Sequence, residues 1–276
     1  MYFQKCAIKI VVHKEMNSEK TFAVIPSNSL AESYPENKSS DFSVPLPLHL
    51  SFPTKEDWKV SLLEIQVPIT FFNLDDSIRE NYLSLREGSL RKVIKLSPGL
   101  YQTAEDLIEE INKHIKRTKL LNFKNLKLDD TSQKVYVQLK EDQKIGFSER
   151  LARILSLPRK IAFNPEGKSK QIFKSETQID AWRDFHNLFI YSDLVQDRIV
   201  NENTAPLLQT VSVNNNEFGN LLIRSYFPPE YLKTRYEHYS TARFWITNEI
   251  GDRVRFRTGS VVLKLQFIKN DSLSGN

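Results

Sequence analysis

Apolar residues at every second position are the strongest pattern in this chain, and a period of two marks half-buried strands. Phe42, Val44, Leu46, Leu48 and Leu50 share one face of an extended segment, with Ser43, Pro45, Pro47 and His49 on the other. The prolines cannot donate ladder hydrogen bonds, so this strand is expected to sit at a sheet edge or to run irregularly. Trp58, Val60 and Leu62 alternate next, and the phase then flips to Leu63, Ile65 and Val67. A flip inside one strand implies a β-bulge or a strand shared by two sheets. Shorter strands are expected at 82–86, 91–96 and 134–139. The C-terminal part then reads as strand after strand, at 187–192, 207–213, 221–227, 244–250, 253–257 and 261–268. Many short strands separated by Pro, Asn and Gly clusters predict a sandwich or barrel.

Two segments switch to the helical period. The first starts at a Thr103 cap and carries Leu107, Ile108, Ile111 and Ile115 along one stripe. Its acidic first turns and basic last turn suit the helix dipole. The second runs from a Ser148 cap through Leu151, Ile154 and Leu155 and stops before Pro158. Both lie inside what reads as an α/β insertion. The expected organisation is an N-terminal arm with one or two strands at 1–40, a sandwich from 41–75 and 181–270, an insertion at 76–180 and a flexible tail at 271–276.

Composition narrows the function classes. Of 276 residues, 40% are hydrophobic and 26% charged, as in an ordinary globular protein, and only 8 are glycine. The single cysteine, Cys6, excludes an intrachain disulfide or a Cys-based zinc site and fits a reducing compartment. The first 16 residues mix Lys5, Lys9, His13 and Lys14 among apolar ones, so no signal peptide is expected. No apolar run approaches the ~18 residues of a membrane span. The net charge of +5 permits an anionic partner without requiring one.

Catalytic motifs are missing. No two of His13, His49, His114, His186 and His238 stand at metal-ligand spacing, and the chain has no G-x-S-x-G, Walker-type or G-x-G-x-x-G segment. Convergence of His186 with His238, or acid–base work by Asp75 and Asp76, would need the fold to build it. The reading is therefore not an enzyme, with no catalytic residue, cofactor or metal. Arg253, Arg255 and Arg257 alternate with Val254 and Phe256. That pattern fits contact with phosphate or an acidic surface, and equally a solvated strand face. The aromatic stretch from Tyr226 to Tyr239 reads as a stacking platform, a packed loop or a subunit contact.

Taken in order, several segments resemble the minor capsid (penton) proteins of Maverick/Polinton elements, the virus-like DNA transposons of eukaryotes. They are F-S-V-P-L-P-L-H-L (42–50), W-K-V-S-L-L-E-I-Q-V-P (58–68), S-P-G-L-Y-Q-T-A-E-D-L (97–107) and F-S-E-R-L-A-R-I-L (147–155). N-L-F-I-Y-S-D-L-V-Q-D-R-I-V (187–200), A-P-L-L-Q-T-V (205–211) and G-D-R-V-R-F-R-T-G-S-V-V-L-K-L-Q-F (251–267) follow. Two departures stand out: Ser156-Leu157 where a Gly-aromatic pair is expected, and Asn201-Glu202 where a glycine is expected.

The resemblance implies a mostly β protein, a single jelly-roll sandwich with an α/β insertion carrying two short helices. It also implies a homopentamer at capsid vertices, beside double-jelly-roll major capsid proteins. The virion would be its location, after synthesis in the host cytosol and assembly there or in the nucleus. Tyr191, Asp193, Leu194, Val195, Pro206 and Leu207 match the family pattern as subunit-interface or core residues. Arg253, Arg255 and Arg257 remain candidates for a weak nucleic-acid contact. A host-retained β-sandwich binding module for carbohydrate or protein, or a nucleic-acid binder, is the alternative reading.

Overall fold

The phase flip after Leu62 is a bulge. In the computed structural model, Lys264 pairs with Glu64 and the next residue, Leu265, pairs with Leu62, so Leu63 is the extra residue. The bulge keeps Trp58, Val60, Leu62, Ile65 and Val67 all buried on one side of a single strand. The structure describes residues 10–15, 18–28, 34–46, 58–75, 81–118, 122–164, 170–213, 216–236 and 239–269. Pro47–Leu50, Cys6 and His238 lie outside them, and with them part of the first alternating segment and the His186–His238 pairing.

In chain order the elements begin with β1 (Ile10–Glu15), β2 (Ser18–Pro26), β3 (Asp41–Pro45) and β4 (Trp58–Pro68). Next come β5 (Tyr82–Glu87), β6 (Leu90–Lys95), α1 (Ala104–Arg117), β7 (Lys127–Leu128), β8 (Val135–Lys140) and β9 (Gln143–Phe147). They are followed by α2 (Glu149–Leu155), β10 (Lys160–Ala162) and β11 (Lys170–Lys174). The last strands are β12 (Asn187–Ser192), β13 (Arg198–Val200), β14 (Asn203–Ala205), β15 (Leu207–Ser212) and β16 (Leu221–Ser225). β17 (Leu232–Lys233), β18 (Thr241–Thr247) and β19 (Val262–Lys269) close the chain. The chain divides into two compact units, Met1–Phe71 with Asp184–Asn276, and Phe72–Arg183.

In the first unit, one sheet runs β1-β2-β19-β4-β16, with β17 also on β4, and the other runs β15-β12-β18-β3. Lettered B to I in chain order, β2, β3, β4, β12, β15, β16, β18 and β19 give sheets B-I-D-G and F-E-H-C. Strands that alternate between two sheets in this way are a jelly roll, the form of sandwich that the resemblance implied. β2, within the segment read in sequence as an arm, pairs with β19 from Lys20 to Pro26. β3 lies at the edge, where its terminal Pro45 is tolerated. The core takes Ile25, Val60, Ile65, Leu263 and Phe267 from one sheet and Phe42, Val44, Leu188, Ile190, Phe244 and Ile246 from the other, all at 1% exposure or less. Phe42 and Phe244 stack across adjacent strands at 5.5 Å.

Three expected strands differ. Residues 253–257 form no strand: beyond a bridge from Arg253 to Thr247, Val254 donates to Ile246 and Arg257 to Thr70, so the alternation belongs to a loop laid along the roll. Val254 fills the core side at 1% exposure, which produces the period of two without a ladder. β18 stops at Thr247 and β16 at Ser225. Turn hydrogen bonds to Asn248 Oδ1 end the first. The second ends two residues before a cis peptide bond that joins Phe227 to Pro228.

In the second unit, sheet β10-β9-β5-β6 and sheet β11-β8-β7 share an apolar core with both helices. The Thr103 cap of α1 is a full capping box. Thr103 Oγ1 accepts the Asp106 N–H, and Asp106 accepts the Thr103 N–H, both at 3.1 Å. Further along α1, Glu110 accepts from the Ser97 hydroxyl (2.6 Å), from His114 Nε2 (2.9 Å) and from Lys113 Nζ (3.2 Å). Burial works to raise this carboxyl, but the three donors outweigh it and hold the pKa at about 2 against an ordinary 4.5. A carboxylate held low in the fold adds stability above pH 4.5 and loses it as pH falls towards about 2. Glu110→Gln is therefore expected to lower the thermal midpoint at pH 7, with the gap to the wild type closing between pH 4.5 and about 2. A gap of constant size across that window would contradict it.

Both departures from the family pattern stand at positive φ. Ser156 caps α2 in the left-handed region (φ 51°), and Asn201 (φ 55°) sits in the β13–β14 turn. Left-handed backbone costs a residue with a Cβ roughly 1–2 kcal/mol, less for Asn. Ser156 offsets part of this by accepting the Thr177 N–H at 3.2 Å, whereas Asn201 is exposed. Asn201→Gly is expected to stabilise the protein by up to about 1 kcal/mol in urea denaturation, and Ser156→Gly by less.

Candidate assembly surface

Alternation on β3, β12 and β18 that sends Phe42, Ile190 and Phe244 inward sends Asp41, Tyr191, Arg243 and Trp245 outward. The register places Trp245 opposite Tyr191 on one side and opposite Asp41 on the other. The Tyr191 and Trp245 rings stack at 5.6 Å and 12°. Arg243 and Arg253 both lie over the Trp245 ring, 5.7 and 5.5 Å from its centroid. Both also hold Asp41. Arg243 gives Nε and Nη2 to the two carboxylate oxygens at 2.9 Å each, and Arg253 gives Nε to Oδ2 at 3.1 Å. Burial pushes the Asp41 carboxyl up, yet the two guanidiniums prevail and hold it below its usual value.

An exposed ion pair alone adds at most about 1 kcal/mol. Here the forked contact and the indole fix two arginines in place, so a partner docking on them has less side-chain entropy to quench. Tyr, Trp and Arg dominate the energetics of protein interfaces. The outer face of the F-E-H-C sheet thus carries a preorganised Tyr–Trp–Arg patch.

The residues singled out in the sequence divide between this face and the interior. Tyr191 and Asp193 belong to the face. Asp193 accepts the Arg243 N–H at 2.9 Å, and burial raises its carboxyl. Leu194 and Val195 have no exposed side chain and Leu207 is 7% exposed, so these three pack inside. Pro206 is partly buried, and its carbonyl accepts the Ser192 N–H at 3.0 Å. Of the arginine row, Arg253 is held by Asp41, while Arg255 and Arg257 are exposed on the loop. Trp245, Arg243 and Asp41 were missed. Trp245 was visible as an aromatic on the outward phase of a strand. Asp41 meets Arg243 across 202 residues of sequence, which only the topology reveals.

Most of the Tyr226–Tyr239 stretch is a packed loop. Tyr239 Oη accepts the Arg235 and Tyr236 N–H groups at 2.9 and 2.7 Å and donates to the Leu194 carbonyl at 2.9 Å. Tyr231 donates to Gln266 and Tyr226 to the Thr210 carbonyl, and burial pushes the Tyr226 phenol up to about 12. Phe227, at 93% exposure, and Tyr236, at 53%, are exceptions; Phe227 has a place at a sheet edge. With Phe218, Leu221 and Ile223, 47–55% exposed, it lines the outer edge of the B-I-D-G sheet along β16.

Among the described residues, no group of three His, Cys, Asp or Glu is placed to hold a metal ion, and no helix is long and apolar enough to cross a membrane. His114 is bonded to Glu110 on α1. No family model matches the chain, and no curated protein matches it. Among solved structures, the crystal structure of the SeMet-labelled mavirus penton protein is similar at 11% identity and a TM-score of 0.47. That match covers 91% of this chain and 98% of the other.

Proposed function

We propose that this chain is a structural capsid subunit. It forms the pentameric vertices of an icosahedral virus-like capsid, as a penton in contact with double-jelly-roll major capsid proteins. The observation that carries the reading is the jelly roll with an outward Tyr191–Trp245–Arg243–Arg253 patch. The ordered set of penton-like segments between residues 42 and 267 supports it. A ring of identical copies needs a head-to-tail interface, in which two different surfaces of one chain meet. The first unit offers two: the aromatic–arginine face of one sheet, and the apolar edge of Leu221, Ile223 and Phe227 on the other. On this reading the protein resides in the virion, with synthesis in the cytosol of the host cell.

Native mass spectrometry with sedimentation velocity tests the assignment. Five copies are expected, and Phe227→Asp is expected to shift the ring to monomer without lowering the thermal midpoint. A monomer that persists at high concentration would overturn it in favour of a β-sandwich binding module.

A further inference from the structure

The second unit keeps one sheet face uncovered, and the register fixes what lies on it. In sheet β10-β9-β5-β6, Leu83, Leu85, Ile94, Ile145, Phe147 and Ile161 turn inward to the helices. The alternate residues therefore form the outer face. Arg91, Arg86, Lys144 and Ala162 stand side by side in one row, and Val93, Ser84, Gly146 and Lys160 in the next. Tyr82 and Lys95 pair beyond them.

Half of these ten residues are cations and none is acidic. Arg86, Arg91, Lys144 and Lys160 are all exposed, and among the described residues none makes an ion pair. The neighbouring carboxylate of Glu87 is occupied elsewhere, accepting from Gln143 Nε2 and the Asn122 N–H. The unit holds 22 basic and 16 acidic residues, a charge of +6, while the rest of the chain is at −1.

Neighbouring strands lie about 4.8 Å apart, so Arg91, Arg86 and Lys144 are like charges set directly opposite one another. Such pairs destabilise a sheet, and a fold selected for stability alone would place a carboxylate among them. Small residues, Ser84 and Gly146, stand side by side at the centre of the face. A Cβ at Gly146 would lie 2.7 Å from Ser84 Oγ, and exposed Tyr82 (39%) and Val93 (53%) offer apolar surface between the cations.

We infer that this face binds single-stranded nucleic acid. Its cations would neutralise phosphates while Tyr82 and Val93 meet bases or sugars, the combination by which four-stranded sheets hold single strands. Duplex reading needs an element that enters a groove, which the broad face of a four-stranded sheet does not supply. The site shares no residue with the Arg253 loop and does not depend on the capsid reading.

The test measures fluorescence anisotropy of the full chain with a labelled single-stranded DNA of about 20 nucleotides, across about 50–200 mM salt. Arg86→Gln, Arg91→Gln and Lys144→Gln combined are expected to weaken binding at least about tenfold at the low-salt end. They are also expected to flatten the log–log salt slope by about 2, at roughly 0.7 per phosphate contact. The same triple variant should melt no lower than the wild type, because like-charge pairs have been removed. Arg255→Gln, on the exposed loop, should leave binding unchanged. Absence of binding at low salt, a wild-type slope in the triple variant, equal affinity for duplex DNA, or binding of heparin alone would each overturn the assignment.

Discussion

Asn73→Leu is expected to destabilise the second unit by about 3–9 kcal/mol. Asn73 is 1% exposed, and its amide makes three of the four hydrogen bonds open to it. Nδ2 donates to the carbonyls of Tyr101 and Ala181, both at 2.7 Å, and Oδ1 accepts the Tyr101 N–H at 2.9 Å. Its own carbonyl accepts Nε of the buried Arg150 at 2.6 Å, and Arg150 reaches the Arg183 carbonyl as well. Residues from both ends of the unit are thus tied to its interior through one side chain. Leucine fills a similar volume but leaves three partner groups unsatisfied, at roughly 1–3 kcal/mol each.

Asn73→Asp sharpens the experiment. It keeps the acceptor for Tyr101 but turns a carboxylate oxygen toward two carbonyls, so it should cost at least as much. Hydrogen exchange resolved by segment gives the readout. Amides of α1, β5 and β9 should lose protection in both variants. A loss below about 1 kcal/mol would show that the two ends are held by other contacts.

How far the sequence could lead is visible in β4 and in the Asp41 cluster. The bulge at Leu63 was legible because burial is imposed residue by residue, so a one-residue slip of the apolar phase is written along the chain. The helices were legible for the same reason, with Thr103 and its capping partner three residues on adding a local signal. Ser156 and Asn201 were legible as places where a glycine was missing, and both hold the positive φ that a glycine would take. Contacts between distant segments leave no such trace. Nothing near Asp41 announces Arg243 and Arg253, and nothing near Asn73 announces Ala181, 108 residues away. The basic face of the second unit was hidden in another way. Arg86, Arg91, Lys144 and Lys160 are scattered across 75 positions and become one surface only through the pairing of four strands. The loop at 253–257 misled, since one side buried and one side wet gives alternation with or without a ladder.

The consecutive residues Phe244 and Trp245 separate folding from assembly. Phe244 points inward, is 0% exposed and stacks on Phe42. Phe244→Ala is expected to cost about 3–5 kcal/mol in denaturant unfolding, from lost transfer energy plus the cavity left among rigid neighbours. Trp245 points outward and is held by Tyr191, Arg243 and Arg253. Trp245→Ser removes a partly exposed ring and two cation–π contacts but keeps the Asp41 ion pairs, so about 1 kcal/mol of stability is expected to go. If the outer face is the anchor of a ring of copies, the same substitution should weaken association by at least about 2 kcal/mol per interface, roughly thirtyfold, as a buried Trp does at an interface centre. The two variants should therefore exchange ranks between a urea titration and a sedimentation profile. Were Trp245→Ser to assemble like the wild type, the aromatic–arginine face would be excluded as the contact, leaving the β16 edge to be tested alone.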